Sequence, residues 1–165
     1  MDDTGASRDR APMPTLVVAY DGAPMSETQL HLACRSANDL GARVRVVHVV
    51  ERPAQVPLQA PSSADELAEA ERLEQRVARI ATRYGVQSEF AVVYARSVGT
   101  AIIAEAQETN AQAIFVGLRE RRRPGTSLLL SGTVRHVLQH ARCPVQIGYL
   151  PADLPAEFAL TDELP

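Results

Sequence analysis

The sequence predicts a doubly wound α/β domain on a parallel sheet, and three observations carry that expectation. Short, nearly continuous apolar runs recur five times along the chain. Segments of helical spacing separate them, and a strand-helix-strand repeat makes parallel pairing through right-handed crossovers the default. At 165 residues, 45% of them hydrophobic, the chain has the size of one domain rather than two and enough apolar mass for a core.

Residues 1–13 mix Asp, Arg, Ser, Gly and Pro without periodicity and read as a disordered tail; residues 14–150 read as the folded domain. Thr15 to Tyr20 (TLVVAY) is the first strand, apolar on both faces and ended by Asp21-Gly22. Pro24 and Ser26 start a helix whose Leu30, Ala33, Cys34 and Ala37 recur on one face until Gly41 stops it. Arg43 to Val50 (RVRVVHVV) is rich in β-branched residues and reads as a strand entering the sheet interior. Pro53, Pro57 and Pro61 then space out a loop through residue 62, long enough for an exposed segment or a lid. Ser63-x-x-Glu66 forms a capping box, and Leu67, Ala70, Leu73, Val77, Ile80, Ala81 and Tyr84 make an apolar stripe closed by Gly85. The acidic start and arginine-bearing end of that helix complement its dipole, so its charges read as a solvated face that needs no partner.

Phe90 to Tyr94 (FAVVY) is a third buried strand, and Thr100 to Gln107 puts Ile102, Ile103 and Ala106 on one helical face. Ala113 to Val116 (AIFV) is the fourth strand and runs into Gly117 and the loop LRERRRPGTSLLLSG. Thr133 to Ala141 is a short helix, Pro144 to Gly148 (PVQIG) the fifth strand, and the proline-rich, acidic residues 151–165 a loosely attached tail. In such sheets ligands bind beyond the carboxyl ends of the strands, which directs attention to Asp21, to the residues around Val49, and to the loop after Val116.

Composition excludes several function classes. All 17 basic residues are arginine, so no lysine is present for a Schiff base, a general base or a Walker A phosphate contact. The net charge of −3, the absence of Trp and an aromatic content of 4% make nucleic-acid binding by bulk field or base stacking an unfavoured reading. Cys34 and Cys143 stand far apart without a CxxC pattern, which fits neither a zinc site nor a disulfide framework, and both read as buried small apolar groups. No stretch approaches the ~20 apolar residues of a spanning helix, and the polar N-terminus carries no signal-like apolar segment, so no membrane association and a reducing, cytoplasmic setting are expected.

The segment from Gly117 to Val134 is the first constellation suited to chemistry. A glycine after a buried strand, an arginine-rich loop, and Gly132-Thr133 opening a helix suit an anion, because exposed amides at a helix N-terminus donate hydrogen bonds and a Thr hydroxyl adds one more. The competing reading is structural: Thr133 or Ser131 caps the helix and Gly117 ends a strand. His136 and His140, four apart on a helix, lack a third metal ligand and read as surface histidines, whereas His48 inside an apolar strand reads as a satisfied core histidine.

From VVAYDG at 17–22, through VVHVV at 46–50, to VGLRERRRPGTSLLLSGTVRHVLQHARCPVQI at 116–147, the sequence resembles a universal stress protein domain, and the resemblance covers residues 14–149. It implies a five-stranded parallel sheet of order 3-2-1-4-5, of the adenine nucleotide alpha-hydrolase-like kind, and a homodimer formed through the last strand, here within residues 143–150. Members divide into those that bind ATP and those that do not, and the binders carry Gly, two residues, Gly, nine residues, then Gly with Ser or Thr. Gly117 matches the first glycine and Gly132-Thr133 the closing pair, but Glu120 holds the second glycine position and eleven residues separate it from Gly132. A carboxylate there repels phosphate by on the order of 1 kcal/mol unless an arginine neutralises it. Arg119, Arg121, Arg122 and Arg123 offer that neutralisation and a bidentate phosphate clamp, with Gly125 restoring a close backbone approach; as a solvated loop they would do neither. The resemblance also puts Asp21 beside the adenosine and Ala19 and Val49 around the base.

The leading expectation is therefore a stress-response regulator that binds an adenine nucleotide, ATP with Mg²⁺, without significant catalysis. Its binding residues are Ala19, Asp21, Val49, Gly117, Arg119, Gly132 and Thr133, and it meets an unidentified protein partner as a homodimer. A nucleotide-free dimeric interaction module of the same family is the alternative, favoured by Glu120 and the longer loop. A nucleotide-hydrolase-like enzyme is a third reading, opposed by the missing Lys and His constellations.

Overall fold

The computed structural model describes residues 12–118 and 130–149, so most of both predicted tails and the arginine loop lie outside the described residues. Strands β1 (Thr15–Ala19), β2 (Arg43–Glu51), β3 (Ser88–Ala95), β4 (Ala113–Leu118) and β5 (Val145–Tyr149) alternate with helices α1 (Pro24–Leu40), α2 (Ala64–Arg83), α3 (Val98–Glu108) and α4 (Gly132–His140). The strands form one sheet of order β3-β2-β1-β4-β5 with every pairing parallel, as the repeat and the resemblance predict.

Alternation along the central strands builds two cores. Leu16, Val18, Val44 and Val46 pack with Leu30, Ala33 and Cys34 of α1 and with Leu73, Val77 and Ile80 of α2. Val17, Val47 and Ile114 face the other way, onto Ile102, Ile103 and Ala106 of α3 and Val137 of α4. Near the carboxyl end of β4, Val116 and Leu118 join Val134 of α4. Strands covered on both faces must be apolar at consecutive positions, which is why TLVVA reads as a run rather than as an alternation.

Local signals set the helix ends. Pro24 stands in the first turn of α1, and Gly41, at φ +62°, closes it with its N–H directed to the carbonyls of Ala37 and Asn38. The Ser63–Glu66 capping box at the start of α2 is complete in both directions. Helix α3 begins two residues before its predicted start because Ser97 accepts from the N–H of Thr100 and so caps it. β3 extends beyond its apolar run to Ser88 and Ala95, since pairing with β2 continues from Val44↔Ser88 to Glu51↔Ala95 whatever the side chains are.

Two expectations need correction, and a third is refined. Leu67 does not belong to the buried stripe of α2; it is 58% exposed. The charges of α2 are not merely solvated. Arg76 forms a two-point ion pair with Glu27 of α1, and Glu66 accepts from Arg52 at 3.1 Å while holding the amide of Ser63 at 2.9 Å. The proline-spaced loop is exposed over much of its length, as expected, and is also anchored. One guanidinium nitrogen of Arg96 donates to the carbonyls of Arg52, Pro53 and Val56, Ser62 bonds the Tyr94 hydroxyl, and Arg52 lies 4.4 Å over the Tyr94 ring.

Candidate functional site

Register brings distant parts of the sequence to one end of the sheet. Val18 pairs with Phe115, so Gly117, two residues on, falls level with Tyr20. Ala19 pairs with Val47, and Tyr20 N–H donates to the Val47 carbonyl at 2.9 Å, which puts Val49 level with Asp21. The side chain of Ala19 packs against both apolar groups on the α3–α4 side, beside Val116 and Val134, and Val49 belongs to the same side. Ala19, Asp21, Val49, Gly117, Gly132 and Thr133 thus all fall at the carboxyl ends of the strands or at the α4 N-terminus that faces them; Arg119 and Glu120 lie outside the described residues.

Asp21 has a structural task as well. Its Oδ1 accepts the Ala23 N–H at 3.0 Å and the Ser26 hydroxyl at 2.7 Å, an Asx turn that launches α1. The turn needs Gly22, whose φ is +77° and whose Cβ, if present, would lie 2.7 Å from Leu73 Cδ2. Asp21 is nevertheless exposed, so part of its carboxylate faces solvent at the mouth of the site.

The two motif glycines differ in kind. A Cβ on Gly117 would lie 3.0 Å from Met25 Cγ, so the first turn of α1 seated on β4 explains this glycine by packing. Gly132 has no such cause: among the described residues no atom comes within 4 Å of where its Cβ would be, and its backbone is not left-handed. As the first residue of α4 this glycine costs less than the roughly 1 kcal/mol, relative to alanine, of one in a helix interior, and it leaves the neighbouring amides without a covering side chain. The cap next to it is Ser131, not Thr133, with its hydroxyl accepting the Val134 N–H at 3.2 Å. Thr133 is half-buried, and no acid lies in the first turn of α4, so the positive end of its dipole is not neutralised from within the helix.

The other singled-out residues fall elsewhere. His48 is half-buried and satisfied by the Tyr20 carbonyl at 3.0 Å. His136 stacks on His140 with ring centroids 4.1 Å apart, and His136 also closes over Gly99 of α3, where a Cβ would lie 2.9 Å from its own Cβ. Among the described residues no group of three His, Cys, Asp or Glu could hold a metal ion. Cys34 is fully buried, as expected, and burial pushes its thiol up to about 12. Cys143, expected to be buried, is only half-buried because it precedes the edge strand β5. Sequence reasoning missed the Glu27–Arg76 pair and the packing of Gln29 and Met25 onto Gly148. A glycine inside an edge strand was the one available signal for the latter.

A five-stranded parallel sheet whose order reverses between β1 and β4 makes this a doubly wound α/β domain, with an order consistent with the adenine nucleotide alpha-hydrolase-like fold. The chain belongs to the universal stress protein family, whose sequence profile matches residues 13–147. It is similar in structure to a universal stress protein from Archaeoglobus fulgidus, at 24% identity and TM-score 0.66, over 82% of this chain and 93% of that one. A universal stress protein from Archaeoglobus fulgidus in complex with dAMP matches at 23% identity and TM-score 0.64, over 82% of this chain and 97% of that one. Another universal stress protein, in complex with cAMP, matches at 19% identity and TM-score 0.58, over 86% of this chain and 100% of that one. No curated protein sequence matches the chain significantly.

Proposed function

We propose that this protein is a stress-response regulator that binds an adenine nucleotide, ATP being our choice, without turning it over. The base lies against Ala19 and Val49, the sugar hydroxyls meet Asp21, and the phosphates meet the α4 N-terminus at Gly132 and Thr133, with Arg119 and the Gly117 turn completing the pocket. Gly132 carries this reading: among the described residues nothing crowds the place of its side chain, and it stands at a helix N-terminus where backbone amides can approach a phosphate. The dAMP and cAMP complexes of similar proteins support the adenine part. Mg²⁺ would arrive on the nucleotide's own phosphates, since the described residues offer no three-ligand site. Without lysine, and with Asp21 held by Ala23 and Ser26, no residue of the described site is placed to act as a base on an attacking water, so hydrolysis is slow or absent.

A homodimer through residues 143–150 and an unidentified protein partner belong to the same proposal: among the described residues β5 is an edge strand, and an edge strand is a template for pairing. A cytoplasmic setting belongs to it too, in keeping with two cysteines that are both free. Glu120 and the loop of eleven residues before Gly132 favour a second reading, the nucleotide-free interaction module.

Calorimetric titration with MgATP separates the two. The nucleotide reading expects binding in the micromolar range, weakened about tenfold by Asp21→Asn, which can keep the Asx turn, and by Gly132→Val, which screens the helix amides. No heat at millimolar MgATP selects the interaction module.

A further inference from the structure

At the opposite end of the sheet, the carboxyl ends of α3 and α4 leave a cavity of about 180 Å³. Ile103 and Ala106 of α3 and Ile114 of β4 supply its apolar lining, and His140, Arg142 and Cys143 line it from the α4–β5 connection. An apolar cavity of about 150 Å³ holds a benzene-sized molecule. This one has room for a six-carbon body with a small head group.

Charge selects the head group. Among the described residues no Asp or Glu lines the cavity. The two helix ends bring about half a negative charge each, but amides already occupy carbonyls there: Asn110 N–H on Gln107 O at 3.2 Å, Ala111 N–H on Ala106 O at 2.8 Å, and Ala141 N–H on Val137 O at 2.8 Å. Arg142 contributes a full positive charge, is exposed, and has no hydrogen bond or ion pair among the described residues. His140 Nδ1 donates to the His136 carbonyl at 2.8 Å, which fixes the ring at the rim. Cys143 adds a thiol that burial keeps protonated, a neutral part of the lining.

We propose that this cavity binds a small carboxylate with an apolar body of about six carbons, its carboxylate on the Arg142 guanidinium and its body against Ile103, Ala106 and Ile114. Guanidinium and carboxylate match in a two-point geometry that an ammonium ligand cannot use. The site is remote from the nucleotide cleft and independent of it.

Benzoate is the probe, and the full chain is the sample. Labelling of Cys143 by neutral N-ethylmaleimide is followed by mass spectrometry, with fully buried Cys34 as the slow internal reference. Benzoate is expected to slow labelling saturably, at least fivefold, with a half-effect at or below about 5 mM, the range open to a nine-atom ligand. Benzylamine, of the same shape and opposite charge, gives no protection. Arg142→Gln, at an exposed position outside the core, raises the half-effect concentration at least tenfold, each protein's labelling being referred to its own rate without benzoate. Benzoate-induced amide shifts at Ala106 and Ala111 provide a second readout. Unsaturable or absent protection without such shifts, equal protection by benzylamine, or an Arg142→Gln protein that responds like the parent overturns the proposal. No step uses nucleotide, so this result and the MgATP titration stand or fall separately.

Discussion

The two faces of the sheet are closed by different physics. On the α1–α2 side the buried charge is paired inside the protein: Glu27 is 4% exposed and receives both Arg76 and the Tyr20 hydroxyl, and His31 Nδ1 meets the Tyr84 hydroxyl at 3.1 Å, whereas Gln29 Oε1 is buried without a hydrogen bond among the described residues. On the α3–α4 side the buried layer is apolar, with the half-buried Arg45–Glu105 ion pair at 3.0 Å at its margin; close approach through a missing side chain serves both faces, His136 resting on Gly99 here and Met25 on Gly117 there. A face whose charges are consumed internally has little left to offer a ligand. The face that carries the serine-capped start of α4, with no acid in its first turn, presents the positive end of a helix at the carboxyl end of the sheet. The candidate cleft belongs to the second kind.

Alkali breaks the comparison most strongly. Burial raises Cys34 from about 9 to about 12, and burial together with neighbouring Glu27 raises Tyr20 from 10.0 to about 12, both on the α1–α2 side. Folded values above unfolded ones mean that the native state holds these protons more tightly. Their contribution is full below pH 9 and is lost as pH rises through 9 to 12. By pH 11 the two together remove about 4 kcal/mol, and with no lysine in the chain the arginines stay charged over that span. Urea midpoints measured from pH 8 to 11 should fall accordingly, and Cys34→Ala should flatten the first part of the decline.

Next in size is Arg76→Ala, which leaves Glu27 buried with only the long contact from Tyr20, at 3.5 Å. Breaking such a pair costs about 3 kcal/mol, and equilibrium unfolding should report it while MgATP affinity stays unchanged, because Glu27 is on the other face. Gly99→Ala acts in the opposite sense. The new Cβ would lie 2.9 Å from that of His136, so α4 must shift, at a cost of about 1 to 2 kcal/mol after the gain in helix propensity. Here nucleotide affinity should fall together with the thermal midpoint. Ser131→Ala is the smallest change, about 1 kcal/mol from the lost cap, visible as faster amide exchange in the first turn of α4.

The same contrast explains what could be read in the sequence. Apolar runs, caps and glycine stops are local, so the five strands and four helices were legible in it, and the parallel order followed from their alternation and from family resemblance. Asp21, Val49 and Gly117 could be placed at one end because strand ends share it in any parallel sheet. Pairings across tens of residues were not legible. Nothing local in α2 says that Arg76 meets Glu27, or that Arg96 gathers three carbonyls of a proline-spaced loop. The division of work between Ser131 and Thr133 likewise depends on where the helix turns, a matter of one or two residues that spacing does not resolve.

Backbone amide shifts on adding MgATP to uniformly ¹⁵N-labelled protein decide whether the nucleotide sits in the candidate cleft. Saturable shifts are expected at Val49, Gly117, Gly132, Thr133 and Val134, with Glu27 and Arg76 unmoved. Saturation that instead shifts the amides on the α1–α2 side, or a spectrum that ignores millimolar MgATP, contradicts that placement.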